Sequence, residues 1–209
     1  MINTKLKNYI EKNIFPIYSK NDEGHNLNHI NVVIKRSLNF AKQIPDINID
    51  MVYTIASYHD LGCYIDRKNH EKISADMLLN DNELKHFFSE EEIKIMSEAV
   101  CDHRASLEYE PRSIYGKIVS SADRTTSVDS IIERTHHYTK KHFPEYTLDQ
   151  IIERAKNHLI EKFSSTGYAS KKIYFKDEEY EKFIKDIDEL VKDHEYFKKK
   201  YMSVNNITL

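Results

Sequence analysis

The chain has 209 residues, 40% of them hydrophobic, which is enough for one compact domain with a real core and a helical extension. Four glycines and four prolines fall far below the average of roughly 12%, and too few turn residues remain for a β-sandwich or barrel. A net charge of -3 with interspersed signs disfavours a general nucleic-acid or membrane-surface binder, while 14 Tyr and 9 Phe disfavour disorder. An all-α protein is expected.

Taken in chain order, the amino-terminal MINTKLKNYIEKNIF carries charges throughout and never reaches an apolar run, so a soluble, cytoplasmic protein is expected. Helical spacing begins with Ile30, Val33, Ile34, Leu38 and Ala41, with Asn28 as a candidate start and Pro45 as a stop. It continues from Asn48 through Val52, Ile55 and Ala56, then through Ile73, Met77 and Leu78. Ser89 with Glu92 forms a capping-box pattern ahead of Ile93, Met96 and Val100. Pro111 opens a run carried by Ile114, Ile118, Val119 and Ala122. Thr147 with Gln150 suits a helix through Ile151, Ile152, Ala155 and Leu159. Ser164 to Tyr174 reads as a loop or short hairpin, and a last charged helix is expected over Lys176 to Tyr201. We expect a metal-binding helical core over residues 1–130 and a helical extension over 131–209 packed on the same domain.

Certain polar residues fall on the apolar faces of these helices. His59 follows Val52, Ile55 and Ala56 at helical offsets, and Asp60 follows Ala56. His103 follows Ile93, Met96 and Val100; His70 precedes Ile73 and Met77; Asp123 follows Val119; His29 precedes Val33. Burying an unpartnered imidazole or carboxyl costs about 1–3 kcal/mol, and a metal held between helices would compensate all six positions. Periodicity does not by itself separate a ligand from a hydrogen-bonded core histidine, since His158 and His194 also follow apolar residues at helical offsets. The adjacent pair His59 and Asp60 is more specific. Neighbours on a helix point about 100° apart and serve one ion only where a helix end faces it, and Gly62 suits a helix stop there.

The segments Gly24–Val33 (GHNLNHINVV), Ile55–Gly62 (IASYHDLG) and Ser120–Arg124 (SSADR) resemble, in order and spacing, the motifs of the HD-domain superfamily of metal-dependent phosphohydrolases. Asn69–Leu78 and Ala99–Ser106 resemble the two extra histidine segments of its binuclear subset. The resemblance implies an HD-type helical bundle in which His29, His59, Asp60 and Asp123 hold one metal. It further implies that His70 and His103 hold a second, with Asp60 bridging. Should His70 and His103 bind none, they would contact phosphate or act as acid and base. His and carboxylate ligands suit one or two divalent first-row ions, iron or manganese foremost, with Mg, Ni, Co and Zn also open.

The implied chemistry is hydrolysis of a phosphate ester or anhydride by metal-activated water, on a small phosphorylated molecule such as a nucleotide. Arg104 and Arg124, each beside an implied ligand, are the candidate phosphate clamps. His25, one turn before His29, is a candidate substrate contact or leaving-group acid. Binuclear HD hydrolases often place Lys three residues after the Asp; here Cys63, read as a small packing residue, stands there. Arg67 and Lys68 are candidates to supply the missing charge. His136, His137, His142, Asp66, Asp102 and Asp129 read as solvated, Asp102 also as an awkward acceptor for a ligand imidazole. The tyrosines of the last third suit core packing, base stacking or a homodimer contact. Two other classes stay open: a binuclear-iron HD oxygenase, marked by oxygen consumption without phosphate release, and a nucleotide-binding sensor without turnover.

Overall fold

The computed structural model describes residues 1–208, the side chain of Glu23 excepted. Among the described residues it contains ten α-helices and four short 3-10 segments, with no strand. No described helix is long and apolar enough to cross a membrane. The chain divides into two compact units, Met1–Asp123 and Arg124–Leu209. The whole helix after Ser127 belongs with the second unit.

In the first unit the helices are α1 (Thr4–Asn13), α2 (Leu27–Ala41), α3 (Ile49–Tyr58), α4 (His70–Leu79), α5 (Glu90–Cys101) and α6 (Ile114–Ala122). Asparagine and serine side chains cap them. Asn26 rather than Asn28 starts α2, accepting from the backbone N–H groups of Asn28 and His29. Asn48 caps α3, and Ser89 with Glu92 forms a complete capping box on α5. Pro111 precedes α6, whose cap is Ser113.

The central element is α3, buried from Met51 to Tyr58 and packed by α2, α5 and α6. Val52, Ile55 and Ala56 meet a core that includes Ile30 and Val33 of α2, Met96 and Val100 of α5, and Ile118 and Val119 of α6. Each fully buried Ile or Val contributes about 1.5–3 kcal/mol relative to exposure. Two of the hydroxyls carried into this interior are satisfied locally: Thr54 donates to the Asp50 carbonyl and Ser57 to that of Tyr53. Tyr18, from the 3-10 segment Phe15–Lys20, donates to the Ser57 carbonyl at 2.8 Å. With every face of α3 covered, its carboxyl end is the one part left to project functional groups.

The second unit contains α7 (Val128–His142), α8 (Leu148–Phe163), α9 (Glu178–Lys192) and α10 (His194–Val204). Thr147 and Gln150 form the capping box expected for α8. The single helix expected over Lys176 to Tyr201 is two, broken at Asp193, whose carboxylate accepts from the Tyr196 N–H and restarts the chain as α10. Ser164 to Tyr174 is loop and turn with no strand. His136 is not solvated as expected; it is buried, with Nδ1 2.6 Å from the Tyr201 hydroxyl.

Candidate metal centre

Helix α3 ends at Tyr58, and its last turn gives way at His59 and Asp60 to the 3-10 segment Leu61–Tyr64. Asp60 has left the helix (φ -110°, ψ 12°), so its side chain and that of His59 both project from the helix end. The Asp60 carbonyl accepts from Asn21 Nδ2 at 3.0 Å and from the Cys63 N–H at 3.1 Å, which holds the backbone at this corner. Gly62 is required by close approach. A Cβ there would lie 2.8 Å from the Ile73 side chain and 3.0 Å from the His70 carbonyl, and the Gly62 N–H donates to Ser74 of α4. This contact seats the start of α4, and with it His70, against the His-Asp corner.

Four residues meet there from three helices. His29 Nε2, from α2, is 3.1 Å from Asp123 Oδ1 and 3.4 Å from Asp60 Oδ2. His59 Nε2 is 3.4 Å from Asp60 Oδ2 and 3.7 Å from Asp123 Oδ1. Asp123 caps the end of α6, whose last carbonyls, those of Ser121 and Ala122, accept from the Arg36 guanidinium of α2. The other oxygen of Asp60, Oδ1, faces a second group: His70 Nε2 at 3.2 Å and His103 Nε2 at 3.5 Å. The Cys63 thiol joins this side, with one donor atom each from Asp60, Cys63 and His70 lying within 4.8 Å of one another.

The hydrogen bonds fix which nitrogens are free. Nδ1 of His59 lies 2.8 Å from the Ala56 carbonyl, Nδ1 of His70 3.0 Å from that of Arg67, and Nδ1 of His103 2.6 Å from that of Val100. A carbonyl only accepts, so each Nδ1 carries a proton and each Nε2 is the ring nitrogen turned into the site. Nε2 of His29 and of His59 are buried with no hydrogen-bond partner. Buried nitrogens left so, beside two carboxylates, fit a bound cation.

Electrostatics agree. Burial opposes charge on every member, yet the imidazoles of His59, His103 and His29 hold the Asp60 carboxyl well below its usual range, and His29 and His59 do the same for Asp123. Reciprocally, the carboxylates overcome burial and raise the pKa of His29 and, more strongly, of His59.

The other expected site residues are distributed unevenly. His25 is buried, its Nδ1 2.6 Å from Asp22 and its ring 5.8 Å from that of His29. Burial lowers its pKa to about 4 despite the pull of Asp60, so the ring is neutral. Arg104 Nη1 donates to the Lys68 carbonyl at 2.9 Å and to Glu71 at 3.1 Å. Arg67 is exposed, with Nη1 3.4 Å from Cys63 Sγ, and the Lys68 side chain is exposed.

Arg124 corrects the expectation of a phosphate clamp. It is buried, its guanidinium donates to the Ala169 and Lys172 carbonyls, and it lies 5.6 Å over the Tyr180 ring. Asp102 is likewise not solvated: fully buried, it accepts from the Arg112 guanidinium, the Arg112 N–H and the Tyr109 hydroxyl. Arg36 is the residue that sequence reasoning passed over, and Cys63, read as a small packing residue, stands beside Asp60 and His70. Only the three-residue spacing from Asp60 hinted at Cys63, and nothing in the local sequence pointed to Arg36.

The profile of the HD domain matches residues 26–127. That segment is similar to the HD domain. That span takes in His29, His59, Asp60, His70, His103 and Asp123, the residues the fold has gathered. HD domains bind divalent metals and suggest hydrolase-type chemistry, and this chain has His and Asp side chains positioned for such an ion. Comparison with curated proteins and with solved structures finds no significant match.

Proposed function

We propose that this chain is a phosphohydrolase that cleaves a phosphate ester or anhydride of a small molecule, nucleotides foremost. The observation that carries this reading is the division of the Asp60 carboxylate, with Oδ2 toward His29 and His59 and Oδ1 toward His70 and His103. One carboxylate would thereby serve two neighbouring cation positions, with His29, His59 and Asp123 holding the first. Divalent cations held there would supply polarisation of a phosphoryl oxygen and a lowered pKa for an attacking water.

The chain's own groups do the rest. The backbone carbonyls of Ala56, Arg67 and Val100 hold three imidazoles in one tautomer, so no proton has to move before a cation is held. Arg104, anchored through Nη1 to Glu71 and Lys68, keeps further N–H groups for a phosphate oxygen without losing much freedom when it binds. His25, neutral and fixed by Asp22, suits acceptance of a substrate hydroxyl rather than protonation of a leaving group. Arg67 and Lys68, on the loop before α4, are the exposed cations that suit the more distant phosphates of an anhydride.

The test is phosphate release from nucleotides, dinucleoside polyphosphates and phosphomonoesters with manganese or iron(II) supplied, Asp60→Ala serving as control. Turnover that vanishes in the variant supports the reading. Dioxygen uptake with an organic substrate and no phosphate release from any candidate would overturn it.

A further inference from the structure

The second cation position has a feature that the first lacks. Around Asp60 Oδ1 stand His70 Nε2 and His103 Nε2, and the third side chain on this side is the thiol of Cys63. Cys63 is buried, on the 3-10 segment that directly follows Asp60, and its sulfur accepts an N–H from Arg67 at 3.4 Å. Two observations place a ligand among these atoms. His70 and His103 have both given Nδ1–H to a backbone carbonyl, yet their Nε2 atoms face each other at 3.2 Å. Two lone pairs at that separation repel unless something positive lies against them.

We propose that Cys63 is a ligand of the cation held by Asp60, His70 and His103, so that the second position is a sulfur-containing site. The thiol proton leaves to solvent as the sulfur–metal bond forms, and the Arg67 N–H stays to stabilise the sulfur's added charge. A Cys, two His and one carboxylate oxygen make a donor set suited to zinc, iron(II) or cobalt and poorly suited to magnesium or calcium. The first position, built from His29, His59, Asp60 and Asp123, offers nitrogen and oxygen alone. The two positions therefore differ in metal preference, and the sulfur-bearing one selects the softer ion.

This inference rests on the metal-centre reading, and cobalt separates the two. The full-length chain is stripped with a chelator, titrated with Co(II), and followed by absorption. Visible ligand-field bands report cobalt on the His and Asp ligands; a near-ultraviolet sulfur-to-cobalt charge-transfer band reports the thiolate. We expect both in the wild type, with the near-ultraviolet band lost in Cys63→Ser and retained in Cys101→Ser. Visible bands without a near-ultraviolet band in the wild type would overturn the role of Cys63 and leave the metal centre standing. A near-ultraviolet band that survives in Cys63→Ser would do the same. If no cobalt binds, both fall. The wild-type spectrum decides the matter even where Cys63→Ser fails to fold, and protection of the Cys63 thiol from alkylation by zinc in the Cys101→Ser chain is the second measurement.

Discussion

Nε2 of His70 and Nε2 of His103 lie 3.2 Å apart, on rings already tied through Nδ1 to the carbonyls of Arg67 and Val100. Two helices have been brought together so that these nitrogens converge beside Asp60 Oδ1. The close passage of α4 over Gly62 enforces this convergence. In Gly62→Ala the new Cβ meets Ile73 at 2.8 Å and the His70 carbonyl at 3.0 Å. The start of α4 must move, at a cost of about 1–3 kcal/mol. Thermal unfolding with metal titration is expected to show that loss, together with weaker binding at the second position than at the first. Equal weakening of both would disagree with this assignment of α4.

Arg36 supports the other side of the centre. Its guanidinium holds the Ala122 carbonyl at 3.1 Å and reaches that of Ser121, directly before Asp123. Arg36→Met frees the end of α6, and we expect metal affinity to fall by about 10–100-fold, as for lost partners of other ligands, in a chain that remains helical by circular dichroism. Arg36→Lys, lacking the planar fork, is expected to restore only part of it. Unchanged affinity in Arg36→Met would show that Asp123 needs no such support.

In the second unit, His158 sets a pH dependence. Burial and the charges of Lys162, Arg154 and Arg134 lower its folded pKa to about 4, below the ordinary 6.5. The folded chain therefore prefers the neutral ring. Its contribution is complete above pH 6.5 and is lost as pH falls from there toward 4. Relative to His158→Leu, the wild type is expected to lose about 1 kcal/mol across that window, less than the full shift implies because the ring is partly exposed. Melting temperatures from pH 7.5 to 4 check this, and a constant difference between the two proteins would refute it.

The residues legible in the sequence were those whose chemistry contradicted their place. An imidazole on a face shared with Val52, Ile55 and Ala56 needs compensation, and His59 with Asp60 beside a helix stop could share an ion only at a helix end, as the fold shows. Capping boxes at Ser89 and Thr147 were equally local and equally readable. What escaped were long-range partners. Asp102 looked solvated because Arg112, its counter-ion, lies beyond the end of its helix, and His136 because Tyr201 lies 65 residues away. Arg124 looked like a phosphate clamp because nothing nearby reveals that its fork is already held by the Ala169 and Lys172 carbonyls. The break at Asp193 was masked by continuous helical periodicity, although an aspartate is a strong cap in its own right.

The central claim is that one carboxylate, Asp60, serves two cation positions, and elemental analysis of full-length protein purified without chelator tests it most directly. We expect about two divalent first-row ions per wild-type chain. Asp60→Ala, folded by circular dichroism, is expected to lose both at once. Wild-type metal content retained in Asp60→Ala would contradict the account.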